Sequence, residues 1–182
     1  MKQINNKQIN TPEYWNEIER STARDFGLRQ KKYIEFAGKG ESIIELGCGL
    51  SPMLHYASNF KRKVGLDFSD VVIKTARELY DNVEYVVGDC TNTKFADKTF
   101  DAVVAGELIE HLEKPEALIK EMSRICKDGG TIIISTPKLE FNDPEHLWEF
   151  NGEDFRKWGF RVEIVKSDRF KGRKYIFAIC KK

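Results

Sequence analysis

The chain of 182 residues has no apolar run longer than a few residues, Ile132 to Ile134 being typical, so nothing in it has the length to span a bilayer. It has no tract rich in proline, serine or glycine. With 32% charged and 12% aromatic residues, it lacks the composition of a disordered or fibrous protein. Its four cysteines, Cys48, Cys90, Cys126 and Cys180, stand far apart and form no C-x-x-C pair. Zinc sites and disulfide frameworks need closer spacings, so these thiols read as reduced and mostly buried, with no metal ligated by cysteine. Met1 opens a polar stretch rich in Asn and Gln without the apolar core of a secretory signal, so the expected location is the cytoplasm.

Net charge is also nearly absent, with 30 basic against 29 acidic side chains for a formal +1. That figure conceals a polarity. Residues 1 to 40 sum to +3, residues 41 to 155 to −10 and residues 156 to 182 to +8. The basic end, with Lys166, Arg169, Lys171, Arg173 and Lys174, suits either contact with phosphates or an edge hairpin protected against strand pairing.

What is present is enough apolar sequence, 41% of residues, for one compact domain. Thr11-Pro12 with Glu13 predicts a helix start, and Phe26, Tyr33, Ile34 and Ala37 predict a second helix from about Thr22 to Phe36, stopped by Gly38 and Gly40. Short runs rich in Val and Ile follow: Ser42 to Leu46, Lys63 to Leu66, Val83 to Val87, Ala102 to Ala105 and Thr131 to Ser135. Between them, Ser69 to Tyr80 and Pro115 to Cys126 read as helices. Strands apolar on both faces that alternate with helices predict an α/β fold, an open, doubly wound and mostly parallel sheet with helices on both faces. Phe160 to Val165 and Tyr175 to Cys180 are too close for a parallel crossover and predict an antiparallel C-terminal hairpin.

The first strand of this pattern, Ile43 to Leu46, enters Gly47-Cys48-Gly49, a turn that lets backbone approach a ligand closely. Asp67 ends the next strand 20 residues after Gly47, where a carboxylate accepts hydrogen bonds from ribose hydroxyls. Asp89, in Gly88-Asp89-Cys90, ends the third and suits an adenine amino group, although a plain turn aspartate fits the same spacing. A dinucleotide fingerprint would want a third glycine where Pro52 stands, and Glu45 on the strand suits a ligand with a cationic amino acid end.

Glu45-Leu46-Gly47-Cys48-Gly49, Gly65-Leu66-Asp67, Gly88-Asp89-Cys90, Phe100 to Val104 through Glu110-His111-Leu112, and Lys127-Asp128-Gly129-Gly130 through Ser135-Thr136-Pro137 together resemble the successive motifs of the class I S-adenosylmethionine-dependent methyltransferases. The resemblance covers residues 41 to 137 and implies a seven-stranded sheet whose last two strands are the hairpin. It implies an S-adenosylmethionine-binding domain over 41–182, with residues 1–40 as a helical lid. It further implies that Gly47, Cys48 and Gly49 shape the cofactor pocket, that Glu45 orients the methionine ammonium, and that Asp67 holds the ribose. Phe68 would flank the adenine, Asp89 with the backbone of Cys90 would meet its edge, and Glu107 and Leu108 would line the methyl end.

Methyl transfer to a hydroxyl or ammonium group needs a base. Among three histidines, His55 reads as a packing or solvated residue. Glu107, Glu110 and His111 lie three or four residues apart, so one helical turn would aim them together as catalytic groups, joined by His146. Around Glu107 to His111 and His146 the chain is also similar to small-RNA 3′-terminal 2′-O-methyltransferases, which implies a divalent cation held by Glu107, Glu110, His111 and His146. A Glu-His pair here equally suits a small-molecule enzyme without a metal. The expected activity is methyl transfer to a small-molecule acceptor, with an RNA ribose or a non-catalytic binding module as alternatives.

Overall fold

A computed structural model describes residues 1–5, 11–17, 26–138, 145–168 and 172–182, apart from the side chains of residues 12, 15 and 17. Residues 22–25 of the expected second helix, residues 141–144 before His146, and Arg169 and Lys171 lie outside the described residues.

In chain order the elements begin with β1 (Lys2–Gln3), α1 (Pro12–Glu17), α2 (Leu28–Ala37), β2 (Gly40–Leu46), α3 (Met53–Tyr56), β3 (Phe60–Asp67), α4 (Asp70–Leu79) and β4 (Glu84–Val87). They continue with β5 (Phe100–Gly106), a 3₁₀ turn (Ile109–His111), α5 (Pro115–Ile125), β6 (Cys126–Lys138), β7 (Trp148–Glu149), α6 (Gly152–Lys157), β8 (Arg161–Lys166) and β9 (Lys174–Lys181). Seven strands form one sheet in the order β4-β3-β2-β5-β6-β9-β8. The first five are parallel, β9 runs antiparallel to β6, and β8 runs antiparallel to β9. The doubly wound, seven-stranded reading with its terminal hairpin is therefore the observed fold.

Alternation along each strand sends successive side chains to opposite layers. Ile44, Val103 and Ile134 pack with Leu118, Met122 and Ile125 of α5 and with Phe155 of α6. Ile43, Val104 and Ile133 pack with Tyr33 and Ala37 of α2, Leu54 of α3 and Ile73 of α4. Burying a Leu or Ile side chain stabilises by roughly 1.5–3 kcal/mol, so these two layers, and not helix propensity, hold the short helices.

Two elements differ from expectation. The second helix starts at Leu28, with Gly27 in extended backbone at its N-cap and Asp168 Oδ2 accepting from the Leu28 amide at 2.7 Å. Phe26 thus precedes the helix and packs on Tyr56, with ring centroids 4.4 Å apart. Strand β6 starts five residues before Thr131, because Cys126 pairs with Phe100 ahead of an irregularity in the ladder. Away from the main sheet, Lys2 and Gln3 pair antiparallel with Glu149 and Trp148.

Candidate active site

Strand order reverses around β2, and in open α/β sheets the crevice beyond the carboxyl ends of the strands at such a point takes ligands. A cavity of about 640 Å³, counted out to its open mouth, lies there. Gly47, Asp67, Phe68, Asp89, Cys90, Glu107, Leu108 and His111 all line it, with Leu66, Gly88 and Leu112 completing the wall.

The glycine turn is left-handed at Gly47 (φ 63°) and Gly49 (φ 53°). A Cβ on Gly47 would stand 2.8 Å from Leu108 Cδ1, so a side chain there would press on the cavity wall. Asp67 is 3% exposed and accepts from the Gly49 amide at 2.9 Å and the Ser69 amide at 3.0 Å. Asp89 is exposed and its Oδ1 accepts from the amide and hydroxyl of Thr91, both at 2.7 Å. It therefore closes its own turn while facing the cavity.

Glu45 lies beneath the turn, fully desolvated on the α2 side. Burial pushes its pKa up to about 8, against opposing contributions from the Ser51 hydroxyl and Arg29. Its Oε2 has no hydrogen-bond partner. Cys48 is also buried, its sulfur close to where a Cβ on Gly65 would stand, so only its backbone faces the turn.

At the other end, Glu107 has left-handed backbone (φ 53°), a conformation rare for a residue with a Cβ. Its amide donates to the Ser135 carbonyl at 3.0 Å and its Oε1 accepts from the Ser135 hydroxyl at 2.8 Å. Because Ser135 Oγ donates to Glu107, Tyr33 must donate to Ser135, and their oxygens are 2.5 Å apart. Arg29 Nη1 stands 3.3 Å from Glu107 Oε2 and Arg173 Nη2 stands 3.8 Å from it. Burial drives the Glu107 pKa up, while Arg29, Ser135 and Arg173 pull it back.

The expectation that one helical turn aims Glu107, Glu110 and His111 together is corrected here. Glu107 precedes the 3₁₀ turn in left-handed backbone, and its carboxylate goes to Arg29 and Ser135. Glu110, His111 and His146 instead form a separate group, each offering a ligand atom within 4.8 Å of the others. Glu110 is 1% exposed and neither carboxylate oxygen has a hydrogen-bond partner. Burial first, then the charge of Glu107, raises its pKa well above the ordinary value; the Thr136 hydroxyl moderates this without reaching hydrogen-bonding geometry. His111 Nδ1 lies 3.0 Å from the Glu145 carbonyl, which can only accept, so Nδ1 carries a hydrogen. The rings of His111 and His146 meet edge to face at 4.9 Å. His55 lies apart from the cavity lining, its Nδ1 2.8 Å from Asn82 Oδ1.

Residues of the N-terminal segment reach both sides of this crevice. Asn16 Nδ2 donates to Asp70 at 2.9 Å, the Ser69 hydroxyl donates to Asn16 Oδ1, and the Tyr14 hydroxyl donates to Glu145 at 3.4 Å. Sequence reasoning did not single out Arg29 or Ser135 as site residues. No spacing connects them to Glu107, and only the sheet brings α2, β6 and the end of β5 together.

A seven-stranded sheet in this order, with a glycine turn, two strand-end carboxylates and a cavity at the switch point, defines the class I S-adenosylmethionine-dependent methyltransferases. The comparisons agree, and the chain belongs to that family: residues 44–134, half of its length, match the methyltransferase domain family. It is 30% identical over 112 residues to the phosphatidylethanolamine N-methyltransferase of Cereibacter sphaeroides, covering 58% of this chain and 55% of that protein. It is 33% identical over 150 residues to phosphoethanolamine N-methyltransferase 3 of Arabidopsis thaliana, covering 71% of this chain and 30% of that protein. A solved S-adenosylmethionine-dependent methyltransferase from Aquifex aeolicus superposes with a TM-score of 0.70 at 19% identity, covering 92% of this chain and 97% of that one. The chain thus spans about a third to just over half of the length of these two curated relatives.

Proposed function

We propose that the chain transfers a methyl group from S-adenosylmethionine to a small-molecule acceptor. The observation that carries this reading is the cavity whose walls combine the Gly47 turn and Asp67 at one end with Glu107, Leu108 and His111 at the other. Bound there, the cofactor would supply a methyl group on a sulfonium whose leaving group is neutral. The chain's own part is to align, to exclude water and to take a proton from the acceptor.

Asp67 would hold the ribose hydroxyls, Phe68 would flank the adenine, and Asp89 with the Cys90 backbone would meet its edge. Gly47, Cys48 and Gly49 would admit the cofactor through their backbone, and Glu45 would face the methionine ammonium. Leu108 would pack at the methyl end, and His111, which lines the cavity, would accept a proton from the acceptor. Residues 1–40 would act as a lid on the 41–182 domain, which the contacts of Tyr14 and Asn16 support. The two relatives are named for N-methylation of ethanolamine compounds, which favours a small acceptor with a nucleophilic nitrogen or oxygen and lends nothing to an RNA acceptor. No helix among the described residues is long and apolar enough to cross a membrane, and we read the four cysteines, of which Cys48, Cys90 and Cys126 are buried, as reduced thiols suited to the cytoplasm.

A second reading adds a divalent cation. The unpartnered, buried Glu110 carboxylate beside His111 and His146 is the observation that favours it, since carboxylate and imidazole together suit such ions. Glu107 belongs to the arginines, so three residues and not the expected four would ligate.

Calorimetry with S-adenosylmethionine, followed by a labelled-methyl screen against metabolite, protein and RNA pools with and without chelator, tests the proposal. Saturable binding and label in a small molecule are expected. Absence of binding would overturn the enzyme reading and favour the non-catalytic module.

A further inference from the structure

Helix α2 carries Arg29 and Tyr33 four residues apart, which places both on one face. They meet the two oxygens of one carboxylate. Arg29 Nη1 stands 3.3 Å from Glu107 Oε2. Tyr33 reaches the other oxygen through Ser135: its hydroxyl donates to Ser135 Oγ at 2.5 Å, and the Ser135 hydroxyl donates to Glu107 Oε1 at 2.8 Å. A carboxylate only accepts, so the donors run in one direction, from phenol to serine to Glu107. Tyr33 and Ser135 are both buried, so water does not compete for these bonds. Burial also raises the phenol above its ordinary pKa, which keeps the donated proton in place at neutral pH.

The same two residues brace the backbone. The left-handed conformation of Glu107 is unfavourable for a residue with a Cβ and persists only where its surroundings fix it. Ser135 fixes it twice, accepting from the Glu107 amide on its carbonyl at 3.0 Å and donating its hydroxyl to the side chain. Tyr33 abuts the preceding residue, because a Cβ on Gly106 would collide with the phenol oxygen. Its ring packs in turn against Phe177 of β9, with centroids 5.1 Å apart. The phenol thus has a set place over the sheet, and the Glu107 carboxylate is tied to it.

We infer that Tyr33 is a positioning residue, which acts through Ser135 to hold Glu107 in the cavity wall for the cationic methionine end of the cofactor. This deepens the methyltransferase reading and rests on it. Glu107 lines the cavity and is followed in the chain by Leu108, and His111 of the same stretch lines it too, so a displaced Glu107 would disturb that whole end of the wall. A wall residue already fixed by ordered donors has little freedom left to lose when a ligand arrives. A buried hydroxyl outside the cavity lining thereby contributes to affinity inside it.

The test is calorimetry of S-adenosylmethionine binding to the wild type, Tyr33→Phe, Glu107→Ala and the two substitutions combined. Tyr33→Phe keeps the ring and removes only the hydroxyl, so affinity is expected to fall about three- to tenfold, the worth of one hydrogen bond. Where Glu107→Ala has already removed the carboxylate, the same substitution should cost about twofold or less. A merely structural Tyr33 would lower the thermal midpoint and leave affinity alone, so unchanged affinity in Tyr33→Phe would overturn the role. So would an equal loss with and without the Glu107 side chain. Hydrogen exchange in the unloaded protein reads the same tie without cofactor: Tyr33→Phe should speed exchange of the Glu107 amide several-fold while the Ile133 amide within β6 is unchanged. If the wild type binds no S-adenosylmethionine the methyltransferase reading fails, and exchange still decides whether Tyr33 holds Glu107, since equal rates at Glu107 in both proteins would overturn it.

Discussion

The Gly49 amide donates to Asp67 Oδ2 across 2.9 Å, so the glycine turn and the end of the neighbouring strand are fixed to one another by a side chain proposed to hold ribose. The Ser69 amide, at 3.0 Å from the other oxygen, completes a carboxylate positioned from two sides. A ligand meets this group already oriented, with little ordering left to do.

Replacing Asp67 by alanine is expected to reduce S-adenosylmethionine affinity about tenfold or more by calorimetry. It also leaves two backbone amides without an acceptor, at roughly 1–3 kcal/mol for each that stays dry. The thermal midpoint of the unliganded protein should fall as well. Unchanged affinity would remove the ribose assignment.

Gly106 has no room for a side chain, since a Cβ there would stand 2.3 Å from the Tyr33 hydroxyl oxygen and 2.8 Å from the ring carbon that bears it. Gly106→Ala should lose roughly 1–3 kcal/mol in denaturant unfolding, the range for overpacking. The same substitution in a Tyr33→Phe background should cost less, because the hydroxyl that blocks the methyl is gone. Equal costs in the two backgrounds would show that the clash is relieved elsewhere.

Two carboxylates should give stability opposite slopes with pH. Glu45, raised from 4.5 to about 8 by burial, binds its proton more tightly when folded. Its penalty is absent below pH 4.5 and complete above 8, so the thermal midpoint of Glu45→Gln relative to wild type should climb across that window. Glu121 is the reverse. Burial opposes its ionisation, but Arg124 and Thr93 outweigh burial and lower its pKa below 4.5. Its contribution is present above 4.5 and lost as pH falls through the lowered value, so Glu121→Gln should differ least from wild type in strong acid.

If a cation joins Glu110, His111 and His146, titration with Mn²⁺ or Zn²⁺ alone should show one site. Glu110→Gln and His146→Ala should each abolish it, while Glu107→Gln leaves it in place. Retention of the site in Glu110→Gln would exclude that carboxylate as a ligand.

The alternation of Val- and Ile-rich runs with amphipathic helices made the sheet legible, because strands buried on both faces leave that pattern. Gly47, Asp67, Asp89 and Glu107 were legible as lining of the cavity because each stands at or just after the end of a strand, and strand ends converge. The orientation of Glu107 was not legible, since its left-handed backbone breaks the helical spacing that seemed to unite it with Glu110. Nor was the pairing of Lys2 and Gln3 with Glu149 and Trp148, for two residues carry no periodicity. Arg29 was hidden for another reason: a lone arginine in a basic helix looks like any solvated charge until Glu107 is placed beside it.

Strand β9 lies between β6 and β8 although it follows both in the chain. A ribosome that has finished β8 has therefore made two strands that cannot yet touch, and β6 waits with an open ladder edge and the apolar Ile132 to Ile134. Until residues 174–181 emerge, that edge is free to pair with a neighbouring nascent chain. Slow translation through this stretch, or high expression, should thus favour aggregation of a protein whose finished form is well paired.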